Sequence, residues 1–160
     1  MVVTGSGEHA GTSTPNDRER QPRRTVVMQV RADASELPPL RLVAAALAAR
    51  ADFDLDTVED LRLAVDEAAS ELVAVAAADT VLRCVFCLDA AQMEVTSSVR
   101  AKPGASLRQD SFGWRVLTTL VDEVRVTDAE VRVTGEPDTD PPVMSITLLK
   151  RRAETVAKRR

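Results

Sequence analysis

The 160-residue chain has no tyrosine, one tryptophan and three phenylalanines, so its core has to be assembled from aliphatic side chains. The only histidine is His9, which leaves a histidine-based nucleophilic triad or a histidine-rich metal site without parts. The only cysteines, Cys84 and Cys87, are spaced C-x-x-C inside the strand-like run TVLRCVFCL. Positions three apart on a strand point to opposite faces, so the two thiols are expected neither to pair nor to share a metal, but to be small, reduced and mostly buried. No apolar run approaches the roughly 20 residues a membrane helix needs. The opening residues MVVTGSGEHAGTSTP also lack the apolar core of a secretory signal. These absences lead to the expectation of a cytoplasmic protein with no membrane partner.

What is present suits one domain: 44% of the residues are apolar, enough to cover a core of ordinary size. A net charge of −4 sets a weakly acidic field that repels phosphate backbone, so direct nucleic-acid binding is not expected. Residues 1–24 are Gly, Ser, Thr, Pro and charge, with nothing to bury, and are expected to be disordered. Residues 151–160, ending in Lys158-Arg159-Arg160, read as a charged, solvated tail. The folded domain is placed at residues 25–150.

Between the tails the hydrophobic period changes. TVVMQVR, Thr25 to Arg31, is strand-like, and Leu40, Val43, Ala44 and Leu47 then recur at helical spacing after Pro38-Pro39, predicting a helix over about 38–50. Asp56-Thr57-Val58-Glu59 has the form of a capping box. It opens a second helix with the inward stripe Leu61, Ala64, Val65, Ala68, Leu72 and Val75. Two strands follow, Thr80 to Leu88 and Gln92 to Val99, joined by the tight Asp89-Ala90-Ala91 turn. Arg100 to Gln109 has Pro103, Gly104 and no period, and reads as a loop. Asp110 or Ser111 caps a third helix with Trp114, Leu117, Leu120 and Val121 inward. Strands at Val124 to Val133 and Val143 to Lys150 close the chain around the turn-rich segment Gly135 to Pro142. The order β-α-α-β-β-loop-α-β-β implies an α/β (α+β) two-layer sandwich: a mixed five-stranded sheet with three helices on one face.

On the second helix Asp60, Glu67 and Glu71 share an edge, because offsets of seven and four residues return to nearly the same angle. Glu67 and Glu71 form an i,i+4 like-charge pair, which costs a few tenths of a kcal/mol when solvated and more when partly buried. Read alone, such a ridge equally suits a solvated acidic face. Arg100, Lys102 and Arg108 in the loop could hold phosphate as point charges or simply be solvated. Trp114 reads as a core or pocket-wall residue by its helical spacing to Leu117 and Val121, rather than as a stacking platform for a base.

Two segments carry a family resemblance. DLRLAVDEAASELV, Asp60 to Val73, resembles the N-box helix of the RsbW-type anti-sigma serine kinases, roughly DLRLAVSEACTNAV. FGWRVLTTLVDEVRV, Phe112 to Val126, resembles the helix that follows the ATP lid in the same family. They occur in the family's order, and the likeness covers about residues 25–150, nearest to the anti-sigma-F (UsfX-like) subgroup. The resemblance implies the GHKL (Bergerat) histidine-kinase-like ATPase fold and a homodimer. It places Glu67 on the N-box glutamate, the catalytic residue held to orient or deprotonate a partner's serine hydroxyl. It places Glu71 where the family has its Mg²⁺-ligating asparagine, and a carboxylate can also bind Mg²⁺ through oxygen. Gly104, with Pro103, is what stands in the segment of the adenine-recognising D-x-G-x-G, whose Asp has no counterpart in Ser97 to Gly104. Ser111, Gly113 and Trp114 fall at the lid glycines and the first turn of the following helix, where free N–H groups form an anion site. ATP and Mg²⁺ are thus the implied cofactors, and the two departures imply weak or absent binding.

The same resemblance implies capture of an alternative sigma factor through the first helix and adjoining loops, placing Arg41, Arg50 and Asp54 at the partner surface, and release by an anti-anti-sigma protein of the STAS type. An active serine/threonine kinase that phosphorylates this antagonist is the competing function. A small-ligand regulatory domain of the ACT type is the third, and would need a repeated βαβ unit that the sequence does not contain. Every one of these site assignments requires the Glu67 edge and the segment opening at Ser111 to face each other across one nucleotide cleft.

Overall fold

The computed structural model describes residues 2–6, 23–129 and 142–153 of the chain. His9 and most of the turn-rich Gly135 to Pro142 segment lie outside them, as do the tail beyond Ala153 and residues 130–133 of the expected strand Val124 to Val133. The described chain runs β1 (Val2–Ser6), β2 (Arg24–Arg31), α1 (Leu37–Arg50), α2 (Leu55–Val75), β3 (Val81–Leu88), β4 (Gln92–Arg100), α3 (Phe112–Leu120), β5 (Glu123–Ala129) and β6 (Val143–Arg151).

The strands form one sheet in the order β1-β2-β3-β4-β6-β5. Every neighbouring pair is antiparallel, so the sheet is not mixed as the element order suggested. It also has one strand more than expected. Residues 2–6, expected to be disordered with the rest of 1–24, pair along β2 from Val2 opposite Gln29 to Ser6 opposite Thr25. The physical reason is non-local: β2 offers a free backbone edge, and ladder hydrogen bonds need no apolar side chain from the segment that fills them.

Alternation on the strands separates the two faces. Met28, Val30, Leu82, Cys84, Phe86, Met93, Val95, Ile146 and Leu148 point into the core, and their neighbours along each strand are more exposed. This buried face is covered by α2, which packs on β3, β4 and β6, while α1 lies against α2 and α3 bridges α2 to β5. With so few aromatics the interior is aliphatic, and Phe86 is its largest fully buried side chain.

Local signals explain the helix limits. Pro38 and Pro39 occupy the start of α1, where a missing N–H costs nothing. Beyond its end, Asp52 adopts the left-handed conformation, φ 57°, which Asp tolerates better than most residues. The start of α2 is capped by Asp54 rather than Asp56: the Asp54 carboxylate accepts from the Thr57 amide at 2.9 Å and the Thr57 hydroxyl at 2.8 Å. Those two bonds hold the Asp54 carboxyl below its ordinary range. Glu59, expected to reach back to the helix start, is bound by Arg62 at 2.7 Å instead.

Cys84 and Cys87 behave as strand neighbours three apart should. Cys84 is buried beside Ser97, with Sγ to Oγ 3.2 Å, and Cys87 lies half-buried near the Thr25 hydroxyl; both are free thiols. No helix among the described residues is long and apolar enough to cross a membrane.

Candidate functional site

The acidic edge of α2 meets α3 along its length. At one end Lys150 of β6 is held 3.4 Å from Asp60 and donates to the Leu120 carbonyl at 2.8 Å, tying α2 to the last turn of α3. At the other end the Ser111 hydroxyl donates to Glu71 Oε1 at 3.3 Å and accepts from the Trp114 amide at 3.0 Å, which makes Ser111 the cap of α3. The two helices therefore run antiparallel, and the start of α3 lies against Glu67 and Glu71.

Gly113 is the point of closest approach. A Cβ placed there would collide with Glu67 Oε1 and lie 2.7 Å from Glu71 Oε1, so any larger residue would push these carboxylate ends aside. The Glu67 carboxyl is raised above its ordinary value, first by partial burial and then by the negative charges of Glu71 and Asp66. The neighbour Asp66, one residue and about 100° round the helix, pairs with Arg41 of α1 at 3.4 Å.

The structure thus brings together Glu67, Glu71, Ser111, Gly113 and the Trp114 amide. The carboxylate edge and the start of α3 face each other, joined by the Ser111–Glu71 hydrogen bond. The Trp114 ring is partly buried against the core, in keeping with its helical spacing.

Gly104 has a different explanation. It occupies the third position of the turn Lys102-Pro103-Gly104-Ala105, closed by Ala105 N–H to Lys102 O at 3.0 Å, and its φ of 72° is what such a turn requires after proline. The strand side of this turn is sewn to the end of α2 by Ala77 N–H to Arg100 O and Lys102 N–H to Val75 O. Arg108 turns to Asp110 at 3.4 Å. On the far side of the sheet, an open depression is lined by Gln29, Arg83, Ser98 and Arg100, apart from the carboxylate pair.

The expected partner residues fall on the α1–α2 pair. Arg41 is engaged by Asp66, Asp54 caps α2, and Arg50 is exposed at the end of α1. Leu42 and Leu55, 70% and 75% exposed, flank them. These large apolar side chains were not singled out from the sequence, where Leu42 and Leu55 look like any other helix leucine.

These features define an α/β domain of the histidine kinase-like ATPase type, in which an acidic helix abuts the helix after the lid. Residues 30–134 match the family described as the histidine kinase-like ATPase domain. Over 144 residues, 90% of this chain, it is 35% identical to the anti-sigma-F factor RsbW of Mycobacterium tuberculosis strain CDC 1551 / Oshkosh, covering 83% of that protein. The same protein of strain H37Rv gives the same identity and coverage. The chain belongs to this family, as an RsbW-type protein on the GHKL fold.

A family of this name implies ATP with Mg²⁺, and the residues present do not fit that group. Where phosphates would need cations or neutral donors, the start of α3 faces two carboxylates, which could hold Mg²⁺ through oxygen but repel the phosphates beside it. Near a protein surface, two like charges 4 Å apart repel by about 4 kcal/mol before screening. Among the described residues neither Glu67 nor Glu71 has an ion-pair partner, and no group of three or more acidic, Cys or His side chains is placed to hold a metal by itself.

Proposed function

We propose that the protein is an anti-sigma factor that captures an alternative sigma factor by surface complementarity and gives it up to an anti-anti-sigma antagonist of the STAS type. The observation that supports this most directly is the 35% identity across 90% of the chain to anti-sigma-F factors, combined with a nucleotide site whose carboxylates disfavour phosphate. For phosphoryl transfer this chain keeps Glu67 but has Glu71 in place of the Mg²⁺-ligating asparagine and no counterpart of the D-x-G-x-G aspartate. The partner surface is the exposed side of α1 and the α1–α2 connection, where Leu42 and Leu55 supply apolar area and Arg50 a charge at the rim. An interface of standard size, about 1,600 Å² in total, needs no more than this face and its surroundings. The family resemblance further supports a homodimer.

Co-purification with a panel of alternative sigma factors, with and without ATP and Mg²⁺, tests the proposal. Retention of one sigma factor in both conditions is the expected result. Failure to retain any member of a full panel removes it.

One observation favours the serine/threonine kinase as a second reading: the raised carboxyl of Glu67 is the property a general base needs. Incubation with labelled ATP and the STAS antagonist decides it. Label no greater than in a Glu67→Ala control is the outcome expected here.

A further inference from the structure

We propose that β1 is a guard strand: the chain's own Val2–Ser6 occupies an edge of β2 that otherwise pairs, about a two-fold axis, with β2 of a second copy. This goes beyond the proposed function and does not rest on which partner is captured.

The sheet ends in two edges that differ in charge. On β5, the strand beyond β6, charged side chains recur at Glu123, Arg125 and Asp128, with Arg125 held 3.0 Å from Glu94 and 3.3 Å from Glu123. Charge along an edge opposes pairing with another chain. The β2 edge has no such protection. Between Arg24 and Arg31 it reads Thr-Val-Val-Met-Gln-Val, rich in β-branched residues and without charge, proline or glycine. Its whole length is paired to β3, from Arg24 opposite Leu88 to Arg31 opposite Val81, with no bulge in the register, so its other side is a regular row of backbone donors and acceptors. Val2–Ser6 satisfies that row opposite Thr25 to Gln29. Among the described residues, β2 is the one element with which β1 makes an extended contact. A strand attached along one side only, and carrying Gly5, opens more easily than one held on both sides.

Once uncovered, the edge is self-complementary about Val27. Antiparallel pairing with Val27 opposite Val27 of the second copy sets Thr25 against Gln29 and Val26 against Met28, and carries the ladder to Arg24 opposite Val30. Odd positions meet odd and even meet even, so the buried faces of the two sheets, with Met28 and Val30, lie on the same side.

The test uses the full-length chain carrying Cys87→Ser and Val27→Cys, which places an accessible thiol at the two-fold centre, with and without Val3→Pro and Thr4→Pro. Successive strand residues direct their N–H groups to opposite sides, so one of two adjacent prolines always removes a ladder donor. With β1 broken, mild oxidation is expected to join two chains through residue 27, and the mass in analytical ultracentrifugation under reducing conditions to rise to about twice that of the parent. The parent, with Thr4 seated opposite residue 27, is expected to show neither. Equal cross-linking of the parent and the proline variant overturns the proposal. So does a proline variant that is folded by circular dichroism, keeps the parent's mass and forms no link. A doubled mass without a link at residue 27 places the contact elsewhere and counts equally against it. Should the proline variant not fold, Val3→Gly with Thr4→Gly carries the same expectations and the same refutations. Retention of a sigma factor is read separately, so failure of this inference leaves the proposed function standing.

Discussion

Partial burial, with Glu71 and Asp66 nearby, places the Glu67 carboxyl above the ordinary glutamate range, so the folded protein favours its protonated form. Stability from this group is therefore fully present below the unfolded value near 4.5 and is lost as pH rises through the folded value. Glu67→Gln should be more stable than the parent at pH 7 by a few tenths of a kcal/mol, the scale of an i,i+4 like-charge pair, with the difference vanishing near pH 4. Urea midpoints at the two pH values measure this, and a variant less stable at pH 7 contradicts it. The two thiols give a second test at the same scale. Burial pushes Cys84 up to about 11, which leaves it almost wholly as thiol at neutral pH. Cys87 is only half-buried. In the native protein a thiol reagent should modify Cys87 and spare Cys84, and peptide mapping showing equal labelling would refute that ordering.

Among the elements, α2 was legible because its stripe from Leu61 to Leu72 fits one helical face over three turns, and those positions are buried. Its start was misplaced by two residues, since Asp54 and Asp56 can each cap, and only the three-dimensional path of the chain lets Asp54 take both donors of Thr57. Asp54→Ala should accordingly cost about 1 kcal/mol in thermal or urea unfolding. Asp56→Ala should cost no more than the few tenths of a first-turn charge. A reversal of that order would restore the capping box. Strand β1 was illegible for a different reason, since five residues of VVTGS acquire their conformation from the free edge of β2. The site was half legible: sequence spacing put Glu67 and Glu71 on one edge and Ser111 at a helix start, but nothing local reveals that Gly113 lets these parts touch. Gly104, chosen for its likeness to a nucleotide motif, is required by the turn it makes.

The whole molecule is a one-sided antiparallel sheet whose aliphatic core depends on a few large side chains. Phe86→Ala should destabilise it by about 3–5 kcal/mol, and chemical denaturation showing a loss under about 1 kcal/mol would mean the core is not packed around this ring. The helical layer presents Leu42 and Leu55 outward, and at the α2–α3 junction Ser111 donates to Glu71. A molecule so built can hold a partner without chemistry. The most direct test is the dissociation constant for the retained sigma factor, measured by calorimetry with and without about 1 mM Mg-ATP. The two values should agree within about twofold. Binding that is absent without nucleotide, or strengthened about tenfold or more by it, would contradict a capture mechanism independent of ATP.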